Sequence, residues 1–446
     1  MSHGSAAADQ WTAASWRGKT ALQQPPYPDP AALEPVLDRL RGLPGLVSYG
    51  EIELLKRDLA QAEAGKRFIL QGGDCAERFI DCTGQAILDK FKILLQMSVV
   101  LTYGLRKGVI KIGRLAGQYG KPRSKPTEDG PQGTIHSYFG DNVNSYDADP
   151  QGRIPEPGRL LDGYMHAAAT LNYLRSLLSG GFADLHHPQT WNLDAIKPSP
   201  RNARYAEITG RILDAISFME SFGGVRGEEL GSTEFFVSHE GLHLPWEEAM
   251  VRSHDGRNYA SSAHFLWIGE RTRQLDGAHV EFFRGLANPV GVKVGPSMKP
   301  RDLCDLAAIL NPQREHGKLV LISRLGAGTA GKVLPGLLSA LGDSGIPAIW
   351  ICDPMHGNTV ATARGVKTRS FDRILAELTE TAAAHRFAGG QLGGVHFELT
   401  GDDVTECLGG PGGLSEDDLD RRYETWCDPR LNYAQSLEMA FRLLEL

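Results

Sequence analysis

A chain of 446 residues, 41% of them hydrophobic, can fill one large core with insertions or two smaller cores, and the first is expected here. Its net charge of −7 and pI near 6.1, without any Lys/Arg cluster interleaved with aromatics, give nucleic-acid binding no support. No apolar run reaches the roughly 18 residues of a membrane span, and six dispersed cysteines with no C-x-x-C pair fit a reducing cytoplasm rather than a disulfide scaffold or zinc finger.

The N-terminus lacks a basic stretch followed by an apolar one, so secretion is not expected and the location reads as cytoplasmic. Residues 1–50 read as an N-terminal extension, with MSHGSAAADQ disordered and QQPPYPDP (23–30) an extended arm before a short helix at 31–41. Such an arm wraps the body or a partner subunit. The first β-like run is 67–73, followed by Ile87, Leu88, Phe91, Leu94, Leu95 and Val99 at helical spacing behind the cap candidate Thr83. A second strand is expected at 109–116. The stretch through Leu161, Met165, Ala168, Leu171 and Leu178 reads as a helix stopped by Gly180-Gly181. FADLHH (182–187) supplies a third strand, a helix follows along Tyr205, Ile208, Ile212, Ala215 and Met219, and FFVSHEGLHL (235–244) reads as an inserted hairpin.

Strands at 264–269, 289–295, 319–325, 348–353 and 393–399 then alternate with helical segments at 272–286, 299–311, 329–342 and 371–387. Strict alternation implies parallel strands joined by helical crossovers. Residues 51–446 are therefore expected to form a single α/β catalytic domain, a (β/α)8 TIM barrel with helical and hairpin insertions near 140–260. A doubly wound open sheet is the rival, but QGGDC after the first strand is not the G-x-G-x-x-G loop such sheets carry.

Most of these apolar runs end in a charged or metal-competent side chain, the pattern of an enzyme whose chemistry sits at barrel strand ends. Cys75, His356, Glu398 and Asp428 form a candidate metal set, three of them at the ends of strands one, seven and eight. Singly, each is more often packed or hydrogen-bonded than ligating. A mixed S/N/O shell suits Mn²⁺, Fe²⁺, Co²⁺ or Zn²⁺ better than Ca²⁺ or Mg²⁺. Arg114, Lys121, Arg123, Arg271, Lys293 and Arg324 form a second, cationic set. Its bland explanation is a solvated rim, but convergent cations in an acidic protein argue for anionic ligands. Glu270 is adjacent to Arg271 and is a candidate to orient that guanidinium or a water.

Three motifs carry little. GAGTAGK (326–332) has the wrong spacing for a phosphate loop, and Val333 follows its lysine. The GGPGG run (409–413) reads as a loop or linker. HEGLH (239–243) matches the zincin pattern literally, yet Gly241, Pro245 and the β-like FFV argue against the helix that chemistry needs.

Laid out in order, SWR, QQPPYPD, QGGDCAE, RLAGQYGKPRS, WIGERTRQL, VGVKVGPSM, SRLGAG, CDPMHGN, GGVHFELTG, VTECLGG and CDPRLN resemble the type II (plant-like) 3-deoxy-D-arabino-heptulosonate 7-phosphate (DAHP) synthases from about Trp11 to the C-terminus. The resemblance implies a transferase that condenses phosphoenolpyruvate with D-erythrose 4-phosphate and releases phosphate, opening the shikimate pathway of aromatic amino acid and chorismate biosynthesis. It implies Cys75, His356, Glu398 and Asp428 as ligands of Mn²⁺ or Co²⁺, with Fe²⁺, Zn²⁺ and Cd²⁺ compatible. Arg114, Lys121, Glu270, Arg271, Lys293 and Arg324 would hold phosphoenolpyruvate, and Arg123 and Ser124 the phosphate of erythrose 4-phosphate. Lys121, Glu270 and His356 would be catalytic, and Cys427 would form a redox pair with Cys75. A homodimer or homotetramer, an aromatic amino acid effector and a chorismate mutase partner belong to the same expectation. Another metal aldolase or phosphoenolpyruvate-using synthase would keep the cations and prefer a different aldehyde; a silent scaffold would lack some of the ligands, and all four are present.

Overall fold

The computed structural model describes residues 11–131, 133–180, 207, 210 and 234–446. Eight strands close into a barrel: β1 (Arg67–Gly73), β2 (Gly108–Arg114), β3 (Phe236–Glu240), β4 (Phe265–Ile268), β5 (Val290–Val294), β6 (Leu319–Ser323), β7 (Ile349–Cys352) and β8 (Gly394–Glu398). All neighbouring pairs are parallel, and β1 closes the ring between β2 and β8. This is the (β/α)8 barrel the alternation implied.

The strands read as near-continuous apolar runs because both faces are covered. Ile69, Ile110, Ile112, Phe236, Phe265, Trp267, Val320, Ile322, Ile349 and Ile351 pack inside the barrel, whereas Leu70, Leu266, Leu321 and Val395 join the outer cluster beneath the helices. Helix α1 (Leu33–Gly42) precedes α2 (Tyr49–Glu63), whose Leu55, Leu59 and Ala62 join the interior cluster. A capping box starts α2, with Ser48 and Glu51 exchanging hydrogen bonds. Outside the strands lie α3 (Gly84–Leu105), α4 (Arg159–Ser179), α5 (Leu244–Ala249), α6 (Ala278–Phe283), α7 (Pro300–Leu310), α8 (Ala330–Ser344), α9 (Phe371–Phe387) and α10 (Tyr433–Leu443). Thr83 caps α3 through its hydroxyl, and α4 stops one residue before Gly180, both as expected. Among the described residues, no helix is long and apolar enough to cross a membrane.

Two expectations need correction. FFVSHE is no inserted hairpin: Phe236–Glu240 is the third barrel strand, pairing β2 through Ile112↔Phe236 and β4 through Ser238↔Phe265. The strand expected at 182–187 and most of the following helix lie outside the described residues. The helix expected over 272–286 is confined to Ala278–Phe283, because Thr272 and Gly277 close turns onto Gly269 and Gln274 and Gly277 serves as the N-cap.

Candidate active site

Parallel register brings the ends of β1, β2 and β8 side by side, with Gly73 opposite both Arg114 and Glu398. A Cβ at Gly73, whose φ is 145°, would lie 2.5 Å from the Arg114 carbonyl oxygen, so only glycine permits this approach. Arg114 is 2% exposed. It donates from Nε to the Asp74 carbonyl (2.9 Å), from Nη2 to the Cys75 carbonyl (3.0 Å) and Glu398 Oε1 (3.1 Å), and from Nη1 to His396 Nε2 (2.6 Å). His396 therefore carries its proton on Nδ1, facing Gln71 Oε1 at 2.7 Å. Burial, then the charges of Lys293 and Arg114, keep His396 well below the usual imidazole range and hence neutral.

Donor atoms of Cys75, Glu398 and Asp428 lie within 4.8 Å of one another. His356 joins them through Nε2, 3.0 Å from Glu398 Oε1, while its Nδ1 faces Asp353 Oδ2 at 2.7 Å. A carboxylate behind the imidazole fixes the tautomer that leaves Nε2 free to ligate. Burial would raise Glu398, but His356, Arg369 and Arg114 hold it well below the usual carboxylate range; Arg369 reaches Glu398 Oε2 at 2.6 Å. Asp428 is likewise held low against its burial by Lys121, which donates to Asp428 Oδ2 (2.9 Å) and Cys75 Sγ (3.1 Å). Contact with Cys427, then burial, raises the Cys75 thiol, and the same contact lowers Cys427 to about 7. One thiol, one imidazole and two anionic carboxylates on one wall suit a borderline divalent cation.

A cavity of about 260 Å³ opens beside this cluster, lined by Arg114, Lys121, Arg271, Lys293 and Arg324 together with Glu240, Glu270 and Trp267. Arg114 and Lys293 lie 5.3 and 5.7 Å from the Trp267 ring centroid, within cation–π reach. Burial, opposed by Asp353, lowers Lys293 to about 8. A second cavity of about 660 Å³ shares Lys121, Pro122, Arg271 and Asp428 with the first and adds Arg123, Ser124, Lys125, Glu128 and Lys367. Arg271 donates to the Ser124 hydroxyl at 3.3 Å along the shared wall.

Every residue expected from the sequence thus lies in or beside the two cavities, with one change of partnership. Glu270 does not orient Arg271: its carboxylate accepts from Gly295 N (2.7 Å), Arg273 Nη2 (2.8 Å) and Ser297 Oγ (3.1 Å). The unforeseen carboxyl is Glu240, at the end of β3. Burial raises its pKa against the nearby charges of Lys293, His356, Arg114 and Arg271, and Gly269 makes room for it, since a Cβ there would lie 2.1 Å from Glu240 Oε1. The same pattern of charge at a strand end would have found it, had the strand been recognised. Lys367, 3.0 Å from Asp428 Oδ1, was also missed. His239 of the HEGLH run instead bonds Glu247 at 2.7 Å, and His243 precedes α5 as its N-cap, so the zincin arrangement is absent.

A closed parallel barrel with a Cys/His/Glu/Asp cluster suited to a divalent cation and two joined cationic cavities suited to anionic ligands is the layout of a barrel enzyme with its site at the strand ends. The chain belongs to the Class-II DAHP synthetase family, whose sequence profile matches residues 11–444. It is 46% identical to a phospho-2-dehydro-3-deoxyheptonate aldolase of Neurospora crassa, over 97% of this chain and 93% of that one. It is also 46% identical to the Streptomyces coelicolor protein of that name (97% and 96% covered). The aldolase AroG of Mycolicibacterium smegmatis is 45% identical (96% and 93% covered).

Proposed function

We propose that this barrel is a DAHP synthase in which the first cavity binds phosphoenolpyruvate and the second the phosphate of D-erythrose 4-phosphate. The observation that carries this reading is that two cationic cavities share Lys121 and Arg271 and meet at Asp428. Two anions held on a common wall lose the translational freedom that otherwise opposes their reaction.

Cys75, His356, Glu398 and Asp428 would hold a divalent cation, Mn²⁺ or Co²⁺, which when bound would supply Lewis-acid polarisation of the aldehyde carbonyl. Arg114, Lys293, Arg324 and Arg271 neutralise the phosphate and carboxylate of phosphoenolpyruvate, while Arg123 and Ser124 take the phosphate of the aldehyde substrate. C3 of phosphoenolpyruvate attacks the aldehyde carbon. Lys121, whose charge Cys427, Cys75 and Asp428 sustain against burial, lines the cavity beside Cys75 and Asp428 and is the ammonium we assign to protonate the resulting alkoxide. Water then adds at C2 and gives one proton to Glu240, which returns it to Lys121 through solvent; the second water proton goes to the departing phosphate as the bond from C2 to the phosphate oxygen breaks and the C2 carbonyl forms. Glu270, already accepting three hydrogen bonds, supports Arg273 and the 295–297 turn, so the water-handling role falls to Glu240.

Cys75 and Cys427 form the redox pair of this reading. A disulfide oxidant such as oxidised glutathione would take two electrons and two protons from the thiols, removing the ligand thiolate. Activity that persists in a sample with Cys75–Cys427 peptides cross-linked would reject that role. The reading as a whole is tested by phosphate release, expected only with both substrates present, lost with chelator and restored by Mn²⁺ or Co²⁺. Equal release without the aldehyde, or faster turnover with a different aldehyde, would overturn it. Aromatic amino acids in the same assay, sedimentation of the purified chain, and mixing with a chorismate mutase test the expected effector, homo-oligomer and partner.

A further inference from the structure

Gln23 is one of the few non-glycine residues with a left-handed backbone, at φ 62°. Such a conformation is disfavoured for a side-chain-bearing residue and persists where surrounding contacts over-determine it. Here its side-chain Oε1 accepts the backbone N–H of Arg123 at 2.7 Å, across 100 residues of sequence. The neighbouring Gln24 clips the arm to the segment after β3, donating to the Leu242 carbonyl (2.8 Å) and accepting from Leu244 N (3.1 Å). Further back, the indole N–H groups of Trp11 and Trp16 reach the Glu281 carbonyl (3.0 Å) and Glu248 Oε2 (2.8 Å). Gln23 is therefore delivered by a strap anchored at several points, not by a fraying terminus.

The guanidinium of Arg123 is held from the other side. Glu128, on the hairpin strand Thr127–Gly130, takes Arg123 Nη2 on one carboxylate oxygen and Arg153 Nη1 on the other, each at 2.5 Å. Arg153 itself is 3% exposed and also donates to the carbonyls of His136, Tyr146 and Asp147. Glu128 is thus tied to a buried, multiply hydrogen-bonded cation, and Arg123, half-buried at the cavity wall, has one edge of its planar fork committed. The rest of the fork faces a cavity whose other cations are Lys121, Lys125, Arg271 and Lys367.

We infer that Gln23 and Glu128 are positioning residues that pre-set Arg123 as a phosphate reader, so the N-terminal arm contributes to recognition of the aldehyde substrate's phosphate. This rests on the proposed role of Arg123. A donor fixed before binding pays less ordering entropy when it engages the ligand, so loosening it weakens that one substrate.

The test is steady-state kinetics on Q23A, E128Q, R123A and the double variant Q23A/R123A, with each substrate varied in turn. Q23A and E128Q are each expected to raise KM for erythrose 4-phosphate roughly threefold to tenfold, the worth of one orienting hydrogen bond. Their kcat and phosphoenolpyruvate KM should stay within about twofold, and Q23A should add nothing in the R123A background, because residues acting through one group are coupled. Q23A effects that add to those of R123A, or that fall equally on both substrates, overturn the inference while leaving Arg123 as the contact. An unchanged erythrose 4-phosphate KM in R123A overturns the underlying assignment instead.

Discussion

Arg430→Met removes a guanidinium that ties the end of β1 to the loop carrying Asp428. Arg430 Nη1 meets Asp74 Oδ1 at 2.8 Å, and its Nε and Nη2 meet the two oxygens of Glu406 at 3.1 and 2.8 Å. Glu406, fully buried, also accepts the backbone N–H groups of Glu424, Thr425 and Arg430, so it is the hub on which residues 424–430 hang. Breaking a buried pair by removing one partner costs about 3–5 kcal/mol. The lower end is expected here, because Asp74 keeps its ion pair with Lys90 and Glu406 keeps its three backbone donors. The larger consequence is local: Asp428 and Cys427 sit on the loosened segment, and loss of such outer support typically weakens metal binding 10–100-fold. Urea unfolding of the metal-free protein measures the first effect and calorimetric titration with Mn²⁺ the second. Arg430→Lys serves as a control that keeps charge but not the two-pronged contact with Glu406. A Mn²⁺ Kd within about threefold of the parent in Arg430→Met, alongside the stability loss, would refute the claim that this network positions the metal loop.

Three further outcomes are expected. His356→Ala should lose turnover and metal affinity together, and substantial metal-stimulated activity in that variant would sink the assignment of His356 as a ligand. Glu240→Gln should lower kcat about 100-fold or more, the usual worth of a general base, with little change in phosphoenolpyruvate KM; a larger kcat loss in Glu270→Gln than in Glu240→Gln would return the water-handling role to Glu270. Lys318, buried at the start of β6, has its pKa pushed from 10.5 down to about 7 by burial and then by Lys56. The unfolded chain therefore binds its proton more tightly than the folded one between those values, so stability should rise with pH from about 7 upward. Denaturant midpoints measured at pH 7 and 9 should draw closer in Lys318→Met, and an unchanged difference would show that Lys318 does not drive the trend.

Where the sequence spoke clearly, it did so through a simple grammar of apolar runs terminated by charge. Arg114, Lys293, Arg324 and Glu398 lie within one residue of the ends of four such runs, and the structure brings them to one cavity. The grammar failed at β3, where Ser238 and His239 interrupt the apolar run. Ser238 is buried because its hydroxyl accepts from Gln71 Nε2 (2.9 Å) and donates to the Gly113 carbonyl (3.0 Å). With His396 bonded to Gln71, these side chains form a polar layer in the barrel interior, which hydropathy cannot distinguish from a surface. Losing β3 meant losing Glu240. The partner of Glu270 was misread for a different reason: adjacency along the chain suggested Arg271, whereas the turn after β4 presents Arg273, three residues on, at 2.8 Å, with Glu270 still on the cavity wall. Asp353 and Arg430 stood inside recognised motifs and Arg369 outside all of them, and each has a partner in a distant segment, Lys293, Asp74 and Glu398 respectively, that only the fold reveals.

The cations of this site are already partnered, which sets the order in which its ligands can bind well. Arg114 has committed four of its five N–H groups, one of them to Glu398 Oε1. Lys121 is shared between Cys75 and Asp428, and Lys293 is paired with Asp353. Such pairing keeps the charges in place without reorganisation at the moment of reaction, yet it also means that Glu398 and Asp428 compete with substrate for the same donors. Divalent metal on those two carboxylates weakens their hold on Arg114 and Lys121 and makes both cations more available to a phosphate or carboxylate. Metal and phosphoenolpyruvate should therefore bind cooperatively, and by linkage each should tighten the other by the same factor. Calorimetric titration of phosphoenolpyruvate into metal-free and Mn²⁺-saturated protein is expected to give Kd values differing by about 5–150-fold, the range of typical coupling energies. Lys121→Met should shrink that difference, because one of the two cations that change hands is gone. Equal Kd values with and without Mn²⁺ would mean that the carboxylates serve the cations and the metal at once, and that the pairing seen here does not limit substrate binding.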